Sequence, residues 1–170
     1  SWNLILVPII SLNLYNSVER AKLDFKEKYD AYISSIVTLT LLLFATIILI
    51  LVPWKEYVKE VLSFSESMFW IFPFYGCAYA CTLCLQKRER QMLNYKSNIL
   101  ISFLSVIPSV VISLGLLLLW KNSVSDAVLL DIRVLGFYIP LIILGIGVIA
   151  IVFFRGRTFV NFVYWKYGII

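Results

Sequence analysis

Four stretches of this chain carry no charged residue and approach or reach the length of a membrane crossing: Ile36–Val52, Met68–Leu85, Ile99–Trp120 and Val134–Phe154. The hydrocarbon core of a bilayer takes roughly 20 consecutive apolar residues of helix. At that depth no backbone N–H or C=O can stay unpaired, so each stretch is expected to be helical. Of 170 residues, 61% are hydrophobic and 15% charged, and the mean hydropathy is +0.91. That leaves too little polar surface to cover a soluble globule. The expected fold is an all-α, multi-pass helical bundle, with spans over 33–53, 64–85, 99–120 and 134–154.

A further apolar run, Trp2–Leu14, is too short to cross unless its start is missing, and no initiator Met precedes Ser1. Residues 2–14 are therefore expected to be the exit half of a truncated helix, and 1–170 a fragment of a longer protein. Residues 155–170, ending in an aromatic, amphipathic tail, are expected to lie at the interface or to lead into another helix.

The charges sit between these runs. The densest stretch holds Glu19, Arg20, Lys22, Asp24, Lys26, Glu27, Lys28 and Asp30. Val18, Ala21, Phe25, Tyr29, Tyr32 and Ile36 recur through it at steps of three and four, which predicts an amphipathic helix. Arg20/Asp24, Asp24/Lys28 and Lys26/Asp30 are opposite charges four apart, each expected to add ~0.3 kcal/mol on a solvated helix surface. Trp54–Leu62 reads as a short loop whose four charges cancel, and Lys121–Arg133 as a polar link that ends before the last span.

Counted over alternate loops, 11 Lys and Arg fall in 15–32, 86–98 and 155–166, against Lys55, Lys59, Lys121 and Arg133 in the others. Positively charged loops translocate poorly, so the first set is expected in the cytoplasm. The same distribution accounts for the net charge of +5 by membrane topology and membrane lipids, with no nucleic-acid partner.

Chemistry-bearing residues are sparse. There is no His, which excludes His-based metal sites and Ser-His-Asp or Cys-His catalysis within these residues. Cys77, Cys81 and Cys84 lie inside one apolar run and are expected to pack as small hydrophobes on one helix face. No cofactor and no metal are expected. Pro8, Pro73, Pro108 and Pro140 interrupt apolar runs, either as bends lining a cavity or as ordinary membrane-helix prolines. Gly145 and Gly147 are expected to serve close helix packing. Asn13, Asn16, Thr38, Thr40, Tyr75 and Tyr79 are polar groups that could face a cavity or bond a neighbouring helix. Lys87, Arg88 and Arg90 form the most anion-friendly cluster, suited to acidic headgroups or to a substrate phosphate.

Two stretches carry a resemblance. LNLYNSVERAKLDFKEKYDAYISSI (Leu12 to Ile36) and LQKRERQMLNYKSNILISFLSVIPSVV (Leu85 to Val111) resemble cytoplasmic loops and following helices of bacterial polysaccharide flippases of the Wzx type. These belong to the multidrug and oligosaccharidyl-lipid exporter superfamily, with its MATE-like fold. The order of YNS, a charged helix running into Ser34-Ser35, the Q-x-R-x-R turn and the closing YWKY is similar to the family's. The resemblance implies part of a six-helix N-terminal lobe in a bacterial inner-membrane transporter, completed by a first helix and a second lobe. It implies no enzyme activity, but carriage of an undecaprenyl-pyrophosphate-linked oligosaccharide from the cytoplasmic to the outer leaflet. Arg20, Lys87, Arg88 and Arg90 would be contacts at the cytoplasmic mouth, and Asn13, Asn16, Tyr75 and Tyr79 would line the cavity. The alternatives are a drug or ion exporter of the same fold, a membrane glycan polymerase or acyltransferase, and a purely structural membrane module. For the polymerase or acyltransferase, the outer loops offer only Asp126, Asp131 and Arg133.

Overall fold

The computed structural model describes residues 12–62, 65–120 and 125–169, all helix and connection with no strand among them. Helix α1 (Leu14–Phe25) passes through a 3-10 turn, Lys26–Lys28, into α2 (Tyr29–Leu51). Then come α3 (Lys55–Leu62), α4 (Glu66–Gln91), α5 (Tyr95–Trp120), α6 (Asp126–Gly156) and α7 (Phe162–Ile169). Four helical stretches are long and apolar enough to cross a membrane: Leu14–Leu51, Glu66–Gln91, Tyr95–Trp120 and Asp131–Gly156. The chain is an all-α, multi-pass membrane protein. Most of the expected truncated helix lies outside the described residues; Leu12 and Asn13 form a turn and Leu14 opens α1.

The helices overrun the apolar stretches that nucleate them. α4 continues through the basic run to Gln91, which shortens the connection to α5 to residues 92–94. Its end is a Schellman turn: Asn94 N–H donates to Glu89 O at 2.9 Å and Leu93 N–H to Arg90 O at 3.1 Å. Leu93 takes the left-handed position at φ 55°, where glycine is usual. At the other end of the bundle α6 begins at Asp126, so Asp131 and Arg133 lie inside its first turns instead of in a link before it. Trp54–Leu62 is likewise not simply a loop, because Lys55–Leu62 is helical. Lys55 pairs with Glu66 and Lys59 with Glu56, while Ser65 Oγ caps α4 by accepting from Met68 N–H.

Buried Leu14, Val18 and Ala21 of α1 meet Tyr32, Ile33, Ile36 and Val37 of α2 in the core. Cys77, Cys81 and Cys84 of α4 and Val148 and Val152 of α6 complete it. The three thiols thus sit where small apolar groups would. α7 seals one side: Phe25 stacks on Tyr32 with ring centroids 5.1 Å apart and meets Tyr164 edge-on at 5.0 Å. Trp165 Nε1–H also donates to Ser35 O at 2.9 Å. α5 packs chiefly on α6 and leaves Phe103, Ile107, Val111 and Leu118 exposed. An apolar stripe of this length is stable facing lipid or a further protein surface, not water.

Two expectations about small residues divide. A Cβ on Gly145 would lie 2.8 Å from Ala78 Cα, so α4 and α6 touch there backbone to backbone, whereas a Cβ on Gly147 would meet nothing within 4 Å. Gly145 is a packing glycine and Gly147 is not. Thr38 and Thr40 bond inside their own helix, to Ser34 O and Ile36 O, each at 3.0 Å. Pro73, Pro108 and Pro140 all lie within continuous helices.

Candidate functional site: an ion-pair hub at one end of the bundle

The last turns of α4 read Lys87-Arg88-Glu89-Arg90, and at about 100° per residue these side chains leave the helix in different directions. Lys87 turns to α1: its Nζ lies 2.7 Å from Asn16 Oδ1, 3.1 Å from Glu19 Oε1 and 5.2 Å from the Tyr15 ring centroid. Arg88 turns to α2 and clamps Asp30, Nε to Oδ1 at 2.8 Å and Nη2 to Oδ2 at 3.0 Å. Glu89 turns inward and is 1% exposed. Its Oε1 accepts from Arg88 Nη1 at 2.5 Å and from Arg155 Nη1 of α6 at 2.7 Å, and its Oε2 accepts from Asn94 Nδ2 at 2.7 Å. Arg90 turns outward, with no side-chain partner among the described residues.

Lys87, Arg88 and Arg155 are thereby matched by Glu19, Asp30 and Glu89, so the hub is neutral. A buried carboxylate is costly unless it is paired and its lone pairs are filled, and Glu89 meets both conditions. Lys22 of α1 also donates to Gln91 O, placing a cation on the last carbonyls of α4, where the helix dipole favours it. A close approach at the end of α6 seats Arg155. A Cβ on Gly156 would collide with Ser34 Cβ and Asp30 O and lie 3.1 Å from Asp30 C, so α6 rests on the backbone of α2.

The four basic residues expected at one mouth do not form a single free cluster. Lys87 and Arg88 are committed to carboxylates, Arg90 projects away, and Arg20 stands exposed with its Cζ 6.0 Å from the Tyr167 ring centroid. Asn16 joins the hub through Lys87, while Asn13 is exposed and accepts from Tyr15 OH at 3.0 Å. Tyr75 and Tyr79 lie elsewhere, stacked with centroids 5.6 Å apart, Tyr75 also 4.4 Å from the ring of Tyr138 on α6. They form an aromatic contact between α4 and α6, some 15 Å or more along α4 from Glu89.

The i,i+4 pairs expected within 20–30 are replaced by tertiary ones. The 3-10 turn at Lys26–Lys28 breaks the helical spacing, Asp30 goes to Arg88, and Asp24 accepts from Tyr167 OH. Glu89, Asp30, Glu19 and Arg155 are the partners that sequence reasoning missed. The one available signal was an acid inside a basic run that follows an apolar helix. Among the described residues no group of three or more Cys, Asp or Glu is placed to hold a metal ion. In chemical terms the hub ties four helices, α1, α2, α4 and α6, together through charged side chains. Compared with known proteins, the chain matches no family model, no curated protein and no solved structure.

Proposed function

We propose that this chain is part of a membrane transporter that carries a lipid-linked oligosaccharide between leaflets, with the ion-pair hub as the closure of its cytoplasmic end. One observation carries the proposal: 15–32, 86–98 and 155–166, the three segments that hold 11 of the 15 basic residues, converge on one end of the bundle. Lys55–Glu66 is the one other ion pair between helices among the described residues. Alternating access needs an end that is tied in one state and released in another, and ion pairs between rigid helices supply two discrete arrangements.

The substrate class comes from the ordered resemblance of Leu12–Ile36 and Leu85–Val111, and the orientation from the basic loops, which favour the cytoplasm. In this mechanism no covalent bond is made or broken. The work is recognition of pyrophosphate at the cytoplasmic leaflet and rocking of helices around it. The test is transbilayer movement of an undecaprenyl-pyrophosphate-linked oligosaccharide in vesicles holding the native polypeptide that contains this chain. Movement faster than in protein-free vesicles is expected, and equal rates would refute it.

A further inference from the structure

At the end of the bundle away from the hub, α5 and α6 border a groove of about 440 Å³. Its walls are Val110 and Leu114 of α5 and Val134 and Phe137 of α6, and Arg133, Ser113 and Tyr138 bring polar groups to it. The groove is built on a fixed crossing. Ser113 Oγ–H donates to Arg133 O at 3.0 Å, and a Cβ on Gly136 would lie 3.0 Å from Ser113 Cα. The two backbones are therefore in close contact beside the cavity.

Arg133 is the unusual member. It directly precedes the uncharged run Val134–Phe154, the expected membrane-crossing part of α6, and a cation at that position belongs near the depth of the headgroups. Among the described residues no carboxylate pairs with its guanidinium. Asp131, two positions away on the helix, cannot face it. By contrast Lys87, Arg88 and Arg155 at the hub all have acidic partners. A permanent cation beside an apolar groove at this depth matches an amphiphile with an anionic head and a hydrocarbon chain.

We infer that this groove is a binding site for an anionic phospholipid of the surrounding membrane, its phosphate on Arg133 and one acyl chain against Val110, Leu114, Val134 and Phe137. The site is separate from the hub and does not depend on the transport proposal. An arginine that merely snorkels to the interface would need no groove, so charge and cavity can be tested separately.

The test uses protein reconstituted in vesicles of phosphatidylcholine with one-fifth phosphatidylglycerol, re-extracted in mild detergent, with co-purifying phosphatidylglycerol counted by mass spectrometry. The wild-type protein is expected to retain the anionic lipid. Arg133→Gln should lower retention at least about fivefold, a loss of ~1 kcal/mol. Val110→Trp should do the same by filling the groove with the charge intact. Arg90→Gln, which removes an unpaired cation on α4, should change nothing, and unaltered melting temperatures would establish that each variant folds. Retention unchanged in Arg133→Gln or in Val110→Trp would overturn the proposal. So would displacement of the lipid by millimolar inorganic phosphate, since that would describe a free-anion site with no use for the groove.

Discussion

Arg88 and Asp30, 58 positions apart, meet in a two-point clamp with nitrogen–oxygen distances of 2.8 and 3.0 Å that fixes α4 against α2. Geometry, and not charge alone, gives such a clamp its value. Arg88→Lys keeps the charge and loses the fork, and is expected to cost ~1 kcal/mol, measured by thermal unfolding in detergent. Arg88→Met is expected to cost ~2 kcal/mol or more, and less once Asp30→Asn has already removed the partner. Additive losses in the double variant would count against the clamp.

Glu89 answers to two guanidiniums at once, at 2.5 and 2.7 Å, while being 1% exposed. Glu89→Gln would put a neutral amide at the buried end of the network, leaving Arg88 with Asp30 as its carboxylate partner and the part-exposed Arg155 with none. A destabilisation of about 1–2 kcal/mol is expected, against less than ~0.5 kcal/mol for the outward Arg90→Gln. The two variants remove neighbouring charges on one helix, so unfolding curves that coincide would show that burial is not what matters.

The glycines of α6 offer a sharper contrast. Gly145→Ala would drive a methyl into Ala78 and is expected to cost about 1–3 kcal/mol through overpacking. Gly147→Ala has open space around it and should be neutral or stabilise by up to ~1 kcal/mol through helix propensity. Parallel melting curves of the two variants check both.

Tyr167 donates to the Asp24 carboxylate, and this hydrogen bond is the first cause of a raised phenol pKa. A raised folded-state pKa gives stability that is fully present below the ordinary tyrosine value near 10 and is lost as pH climbs through the folded value. Docking of α7 should therefore loosen on the alkaline side. Trp165 fluorescence, read in a background with the other tryptophans replaced by Phe, should report the step, and Tyr167→Phe should abolish it.

The helices were legible because uncharged runs such as Ile99–Trp120 leave the backbone no alternative in a membrane. Their ends were not. Lys87–Gln91 and Asp131–Arg133 look like loop, yet they continue α4 and α6 because each charge there finds a partner or an exit to the surface. The candidate site was half legible: Lys87 and Arg88 stand out as cations, but that they are neutralised depends on Glu19 and Asp30, and that Glu89 holds a second cation depends on Arg155, which only the fold brings near. Gly147 shows the opposite failure, a small residue with the right spacing and nothing against it.

The proposed role of the hub, a closure that opens during transport, is tested most directly by tying it shut. Cysteines at positions 30 and 88, joined by a short bifunctional thiol reagent in a background lacking the three buried cysteines, would hold α2 to α4 in vesicles of the native polypeptide. Movement of the lipid-linked oligosaccharide is expected to stop on cross-linking with a reducible reagent and to return on reduction. Movement at the same rate in the cross-linked and reduced states would contradict the account.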